Sequence, residues 1–179
     1  MKVNNVFKTM AMLLAVTLFV SCSDDDDKKD EGPDEIMITQ AQLNAATNML
    51  ATETGGTFAH GGPDGTTGSE TVRKIYSSVT DLDGTIAPGT IVTKKTYALD
   101  GEGNMGNLYV SFAMVKREPG YDTANKDWEY MKIGFDADND YDANPFGMLP
   151  AEGSADRGKL AGCIGCHTGA GGGDFLFVN

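Results

Sequence analysis

Apolar residues run almost unbroken from Met10 to Val20, behind Lys2 and Lys8. The run is shorter than the about 20 residues a membrane-spanning helix needs, and its basic start and apolar centre predict an export signal over residues 1–21. The stretch Ser23-Asp24-Asp25-Asp26-Asp27-Lys28-Lys29-Asp30 has no apolar side chain to bury, so residues 22–35 are expected to form a solvated tether. A globular pattern begins near Glu35 and defines one domain over residues 36–179. Leu43, Ala46 and Leu50 recur at helical spacing, which predicts a helix from Thr39 or Gln40 to about Ala51, with Thr39 as its cap. The glycines between Gly55 and Gly68 then mark a loop that contains His60.

Three later stretches, Gly89 to Ala98, Leu108 to Arg117 and Trp128 to Phe135, are rich in β-branched and aromatic residues and separated by turn residues. With a shorter candidate from Val72 to Val79 they predict an antiparallel sheet, and the stretch from Asp136 to Pro145 is expected to be an acidic loop. A second helix is expected from Ala155 or Asp156 toward His167, capped by Ser154. Gly169 to Gly173 should let Asp174 to Phe177 return to the domain, as an edge strand. The fold class is therefore α+β, mainly antiparallel sheet with a few helices.

The 179 residues carry a formal net charge of −12. No cluster of Lys and Arg suited to phosphates interrupts this acidity, so a nucleic-acid partner is not expected. Removal of the export signal takes Lys2 and Lys8 with it and makes the chain more acidic still.

The signal ends in Leu18-Phe19-Val20-Ser21-Cys22, where a small residue before a cysteine resembles the lipobox of bacterial lipoproteins. That resemblance implies lipidation of Cys22, attachment to a membrane, and a place in the bacterial cell envelope, either periplasmic or on the outer surface. The plainer alternative is an ordinary signal peptide with an incidental Cys.

The sharpest motif is Cys163-Ile164-Gly165-Cys166-His167. In a C-x-x-C-H sequence the two thiols, set one helical turn apart, can each add to a vinyl group of one haem while the histidine ligates its iron. The cofactor expected is one covalent haem c. A redox dithiol or half of a zinc site are the alternatives. The first is disfavoured by the pair's place near the chain end, behind strands, and the second by the want of another Cys/His pair. His60 and the methionines could supply a sixth ligand, but Met114 and Met131 fall in strand patterns that suit core packing.

Around that motif lie Pro88-Gly89-Thr90-Ile91-Val92-Thr93-Lys94, Val110-Ser111-Phe112-Ala113-Met114-Val115-Lys116, Asp127-Trp128-Glu129-Tyr130 and Asp174-Phe175-Leu176-Phe177. In order and spacing these pieces resemble the cytochrome P-460 family, whose fold also serves cytochrome c′-beta. The resemblance covers about Ile75 to Phe177. It implies a mostly antiparallel sheet packed around one c-type haem, redox chemistry on a small nitrogen compound such as hydroxylamine, and a lysine bonded to the porphyrin. The position matching that lysine is Lys94. Its neighbour Lys95 must face the other way on a strand. Oxidation of substrate N–H or O–H bonds wants a carboxylate near the haem, for which Glu152 and Asp156 are candidates by position. Phe112, Trp128, Tyr130, Phe175 and Phe177 could line the pocket. The alternative function is nitric-oxide binding or electron transfer without catalysis. A redox partner is implied but not identified, and homodimerisation stays open.

Overall fold

The computed structural model describes residues 33–54, 71–134, 142–171, 174, 176 and 177. Cys22, His60, Phe175 and most of the predicted acidic loop lie outside the described residues, as does the Gly55 to Gly68 stretch. The elements are α1 (Gln40–Asn44), β1 (Asn48–Thr54), β2 (Thr71–Ser77), β3 (Ile91–Leu99), β4 (Met105–Lys116), a 3-10 turn (Thr123–Asn125), β5 (Trp128–Gly134), β6 (Arg157–Gly158) and α2 (Ala161–His167). The six strands form one antiparallel sheet in chain order. The α+β class expected from the sequence is thus observed. No helix among the described residues is long and apolar enough to cross a membrane.

The strands arise where β-branched and aromatic residues alternate, and the turns between them are chemically specified. Before β3, Gly89 adopts φ of 88° while the Thr90 amide donates to the Ala87 carbonyl at 3.1 Å. This is the geometry that a Pro-Gly pair at the centre of a turn favours.

Both faces of the sheet are covered. One carries Ile91, Ala113, Val115 and Met131 against Leu43, Ala46 and Phe146. The other carries Ile75, Val92, Met114, Trp128 and Tyr130 against Leu176, with Cys163 and Ile164 of α2 packed on it.

That division explains the first departure from expectation. Thr39 caps α1 as expected, in a reciprocal capping box with Gln42. The helix nevertheless ends at Asn44, and Asn48 onward is strand rather than helix. Leu43 and Ala46 belong to one core, whereas Leu50 packs against the other. A continuous helix would present all three to the same side, so the chain becomes extended and pairs Ala51 with Ile75.

The second departure concerns α2. Ser154 does not cap it; the helix begins at Ala161 behind Leu160. Residues 157 and 158 instead pair with β5, Arg157 opposite Met131 and Gly158 opposite Tyr130. A buried ion cluster accounts for this. Arg157 Nε donates to Glu129 Oε1 at 3.0 Å, and Arg117 Nη1 lies 3.3 Å from Glu129 Oε2. Only 5% of the Glu129 side chain is exposed, 4% of Arg117 and 3% of Arg157. Two guanidiniums around one carboxylate tie the residue just after β4 to β5 and β6, and the extended backbone at Arg157 brings its side chain to Glu129.

Removing the shared carboxylate leaves Arg117 with Glu118 and Glu35, and Arg157 with Glu152, so each cation keeps a partner. Glu129→Gln is therefore expected to lower unfolding stability by about 1.5 to 3 kcal/mol, the range for a hydrogen bond to a charged group. Urea unfolding monitored by circular dichroism measures this loss.

Candidate functional site

Helix α2 is only seven residues long. A helix this short is not stable alone, so its position depends on packing against the sheet. It docks through Cys163 and Ile164 onto the face formed by Ile75, Val92, Met114 and Tyr130. A cavity of about 320 Å³ opens between helix and sheet, and Cys163, Cys166 and His167 all line it.

Both cysteines are free thiols, Cys163 partly buried and Cys166 exposed. Burial pushes the Cys163 thiol above its ordinary value, partly offset by the positive charge of Lys94. The His167 ring contacts two aromatic rings. The centroids of Tyr130 and Phe177 are each 5.2 Å away, inclined to the imidazole by 54° and 67° respectively. Among the described residues no group of three or more His, Cys, Asp or Glu is arranged to hold a metal ion.

Lys94 lines the same cavity from the middle of the sheet, its Nζ 5.0 Å from the centre of the Phe112 ring. Its amine is held down to about 8, first by burial and then by the nearby charge of Arg73. Lys95 points to the opposite side, over the rings of Phe146 at 5.0 Å and Tyr76 at 6.0 Å. Lys94 is thus the lysine that shares a cavity with the C-x-x-C-H residues.

The polar groups beside it come from β1 and β2. Arg73 Nε bonds Glu53 Oε2 at 3.2 Å, and both side chains line the cavity. Glu152 and Asp156 are not at the site. Glu152 pairs with Arg157 at 3.3 Å and is half exposed, while Asp156 is exposed and its backbone carbonyl accepts from Lys132. They lie beside β6, outside the cavity lining, and among the described residues the carboxylate that lines the cavity is Glu53.

Sequence reasoning missed Glu53 and Arg73. The parity of Arg73 with Ile75 was available, but only the register with β3 shows which face that parity reaches. Glu53 was hidden by the expected longer helix, which concealed the existence of β1.

Phe112, Tyr130 and Phe177 line the cavity as expected, whereas Trp128 is fully buried beside it. The Tyr130 hydroxyl is buried and has no hydrogen-bond partner among the described residues. Burial, reinforced by negative charge from Cys163, Asp122 and Asp174, raises its pKa well above the ordinary phenol range. It therefore stays protonated. Met114 and Met131 are buried at 5% and 0% exposure, as core residues should be.

No protein-family model matches the chain, no curated protein matches it, and no solved structure matches it.

The lowered Lys94 pKa sets a pH dependence of stability. Between about 8, the folded value, and the ordinary 10.5, the unfolded chain binds a proton that the folded chain has lost. Stability from this group therefore rises with pH across that window, and the full penalty for the buried charge is present below about 8. Lys94→Met is expected to be more stable than the wild type at pH 7, by up to about 3 kcal/mol at about 1.4 kcal/mol per pKa unit. The difference should shrink toward zero by pH 10.5. Urea unfolding of both chains at pH 7 and pH 10 measures it.

Proposed function

We propose that this chain is an exported haem protein with one c-type haem held covalently by Cys163 and Cys166 and ligated by His167. Within that class it is read as a cytochrome P-460-like redox protein that acts on a small nitrogen compound such as hydroxylamine. The observation that carries the reading is that Lys94 and the C-x-x-C-H residues, far apart in the chain, line one cavity. When bound, the haem supplies the one-electron chemistry, through an iron whose potential its ligand and surroundings set.

The chain's own residues then have distinct tasks. Cys163 and Cys166 give the two thioether attachments, and His167 gives its imidazole to the iron. Lys94 is the amine placed for the third attachment that the family resemblance implies. Its lowered pKa favours the neutral, nucleophilic form. Glu53 is the carboxylate available to accept a proton from a substrate N–H or O–H, with Arg73 holding it in place. Phe112, Phe177 and Tyr130 keep water from the site, which strengthens the electrostatic interactions inside it. Lipidation of Cys22 would attach the protein to the cell envelope, where its redox partner must also reside.

The test uses the full chain matured in a host with c-type haem attachment. The haem should stay with the protein in acidified organic solvent, and should be extracted from a variant that combines Cys163→Ala and Cys166→Ala with Lys94→Met. With an electron acceptor present, hydroxylamine should be oxidised, and Glu53→Gln should lower kcat about 100-fold, the lower end of what a positioned proton acceptor contributes. Covalent haem that binds nitric oxide but leaves hydroxylamine unchanged would replace the enzymatic reading with gas binding. A chain that acquires no haem would overturn both.

A further inference from the structure

Beyond the residues assigned above, the C-terminal segment carries an unexplained set of contacts. Lys116 lies at the end of β4 with only 13% of its side chain exposed. An ammonium has three hydrogens to place. Lys116 Nζ reaches both carboxylate oxygens of Asp174, at 2.7 and 2.8 Å, and the backbone carbonyl of Lys126, at 2.7 Å. Its charge also stands 5.0 Å above the Trp128 ring. The Trp128 indole N–H in turn donates to the Asp174 backbone carbonyl at 2.8 Å.

Asp174 is thus held at both its side chain and its backbone. The turn that delivers the Lys126 carbonyl is left-handed at Lys126 and Asp127, with φ of 58° and 56°. Neither residue is glycine, and such conformations persist where the surrounding structure over-determines them. Past this anchor, Leu176 is buried in the same core as Trp128 and Tyr130, and Phe177 stands edge-on to the His167 ring.

We propose that Asp174, Leu176 and Phe177 act as a strap that positions His167, with Lys116 and Trp128 as its buckle. The strap sets the orientation of the imidazole through Phe177 and limits water at that ring. Lys116 and Asp174 act through Phe177 and are positioning residues. Only the consequence for a haem rests on the proposed function; the strap itself does not.

The test is hydrogen–deuterium exchange by mass spectrometry on the full chain and three variants. Lys116→Met keeps an apolar stem over Trp128 but leaves the Asp174 carboxylate without its cation. Asp174→Asn removes the charge from the other side, and Lys116→Arg preserves the pair. Exchange at Leu176 and Phe177, and at residues 164–168 of the His167 helix, should rise several-fold in the Met and Asn variants. It should stay unchanged in β2 and β3, and remain close to the wild type throughout in the Arg variant. Diethyl pyrocarbonate should modify His167 faster in the Met variant, with His60, the other of the chain's two histidines, as internal reference.

In haem-loaded protein the midpoint potential should fall in the Met variant and recover in the Arg variant, because water at the site favours the more charged oxidised state. Unchanged exchange at the tail overturns the proposal, as does a tail that loosens without any change at residues 164–168. A rise spread equally over β2 and β3, or an Arg variant that exchanges like the Met variant, also overturns it. Exchange is readable without haem, so a chain that fails to acquire haem refutes the proposed function and still decides the strap.

Discussion

Successive residues of a strand point to opposite faces of a sheet, and the site depends on that alternation at two adjacent lysines of β3. Lys94 faces the cavity that Cys163, Cys166 and His167 line, while Lys95 stands over Phe146 and Tyr76 on the other side. A slip of one residue in the pairing of β3 with β2 or β4 would exchange them and expose Ile91 and Val92 to the wrong cores. Because both faces are packed, each strand has little freedom to slip, and the register that protects the cores also sets the chemistry of the cavity.

Charge is distributed unevenly with respect to this frame. The chain is strongly acidic as a whole, yet its interior holds cations: Arg117 and Arg157 around Glu129, Lys116 on Asp174, and Arg73 beside Lys94. The first two groups are matched by carboxylates and join strands or fasten the tail. At Lys94, burial and the like charge of Arg73, itself paired with Glu53, bring the amine down to about 8. A lysine that gives up its proton this readily, in one cavity with two thiols and an imidazole, marks a candidate functional site.

Much of this was legible in the sequence. Strands β2 to β5 were visible in their β-branched and aromatic composition, within a few residues of their observed ends. Thr39 was legible as a cap because it precedes the helically spaced run that begins at Leu43, and its reciprocal bond with Gln42 emerged with the structure. The C-x-x-C-H motif placed three cavity residues together by its spacing alone. What could not be read depended on contacts between distant segments. The helix expected to reach Ala51 stops early because Leu50 is claimed by a core on the far side of the sheet, and local spacing carries no sign of that. Ser154 looked like a cap, but the pull of Glu129 on Arg157 makes that stretch extended. Glu53 and Arg73 became visible at the cavity only once β1 and β2 were paired with β3.

The most direct test of a haem held between α2 and Lys94 is peptide mass spectrometry on the digested, haem-loaded chain. One haem mass should be borne by the peptide that contains Cys163, Cys166 and His167, with the Lys94 peptide bonded to the same porphyrin and Lys95 unmodified. A haem released without bonds to either sulfur, or a bond at Lys95 in place of Lys94, would contradict that arrangement.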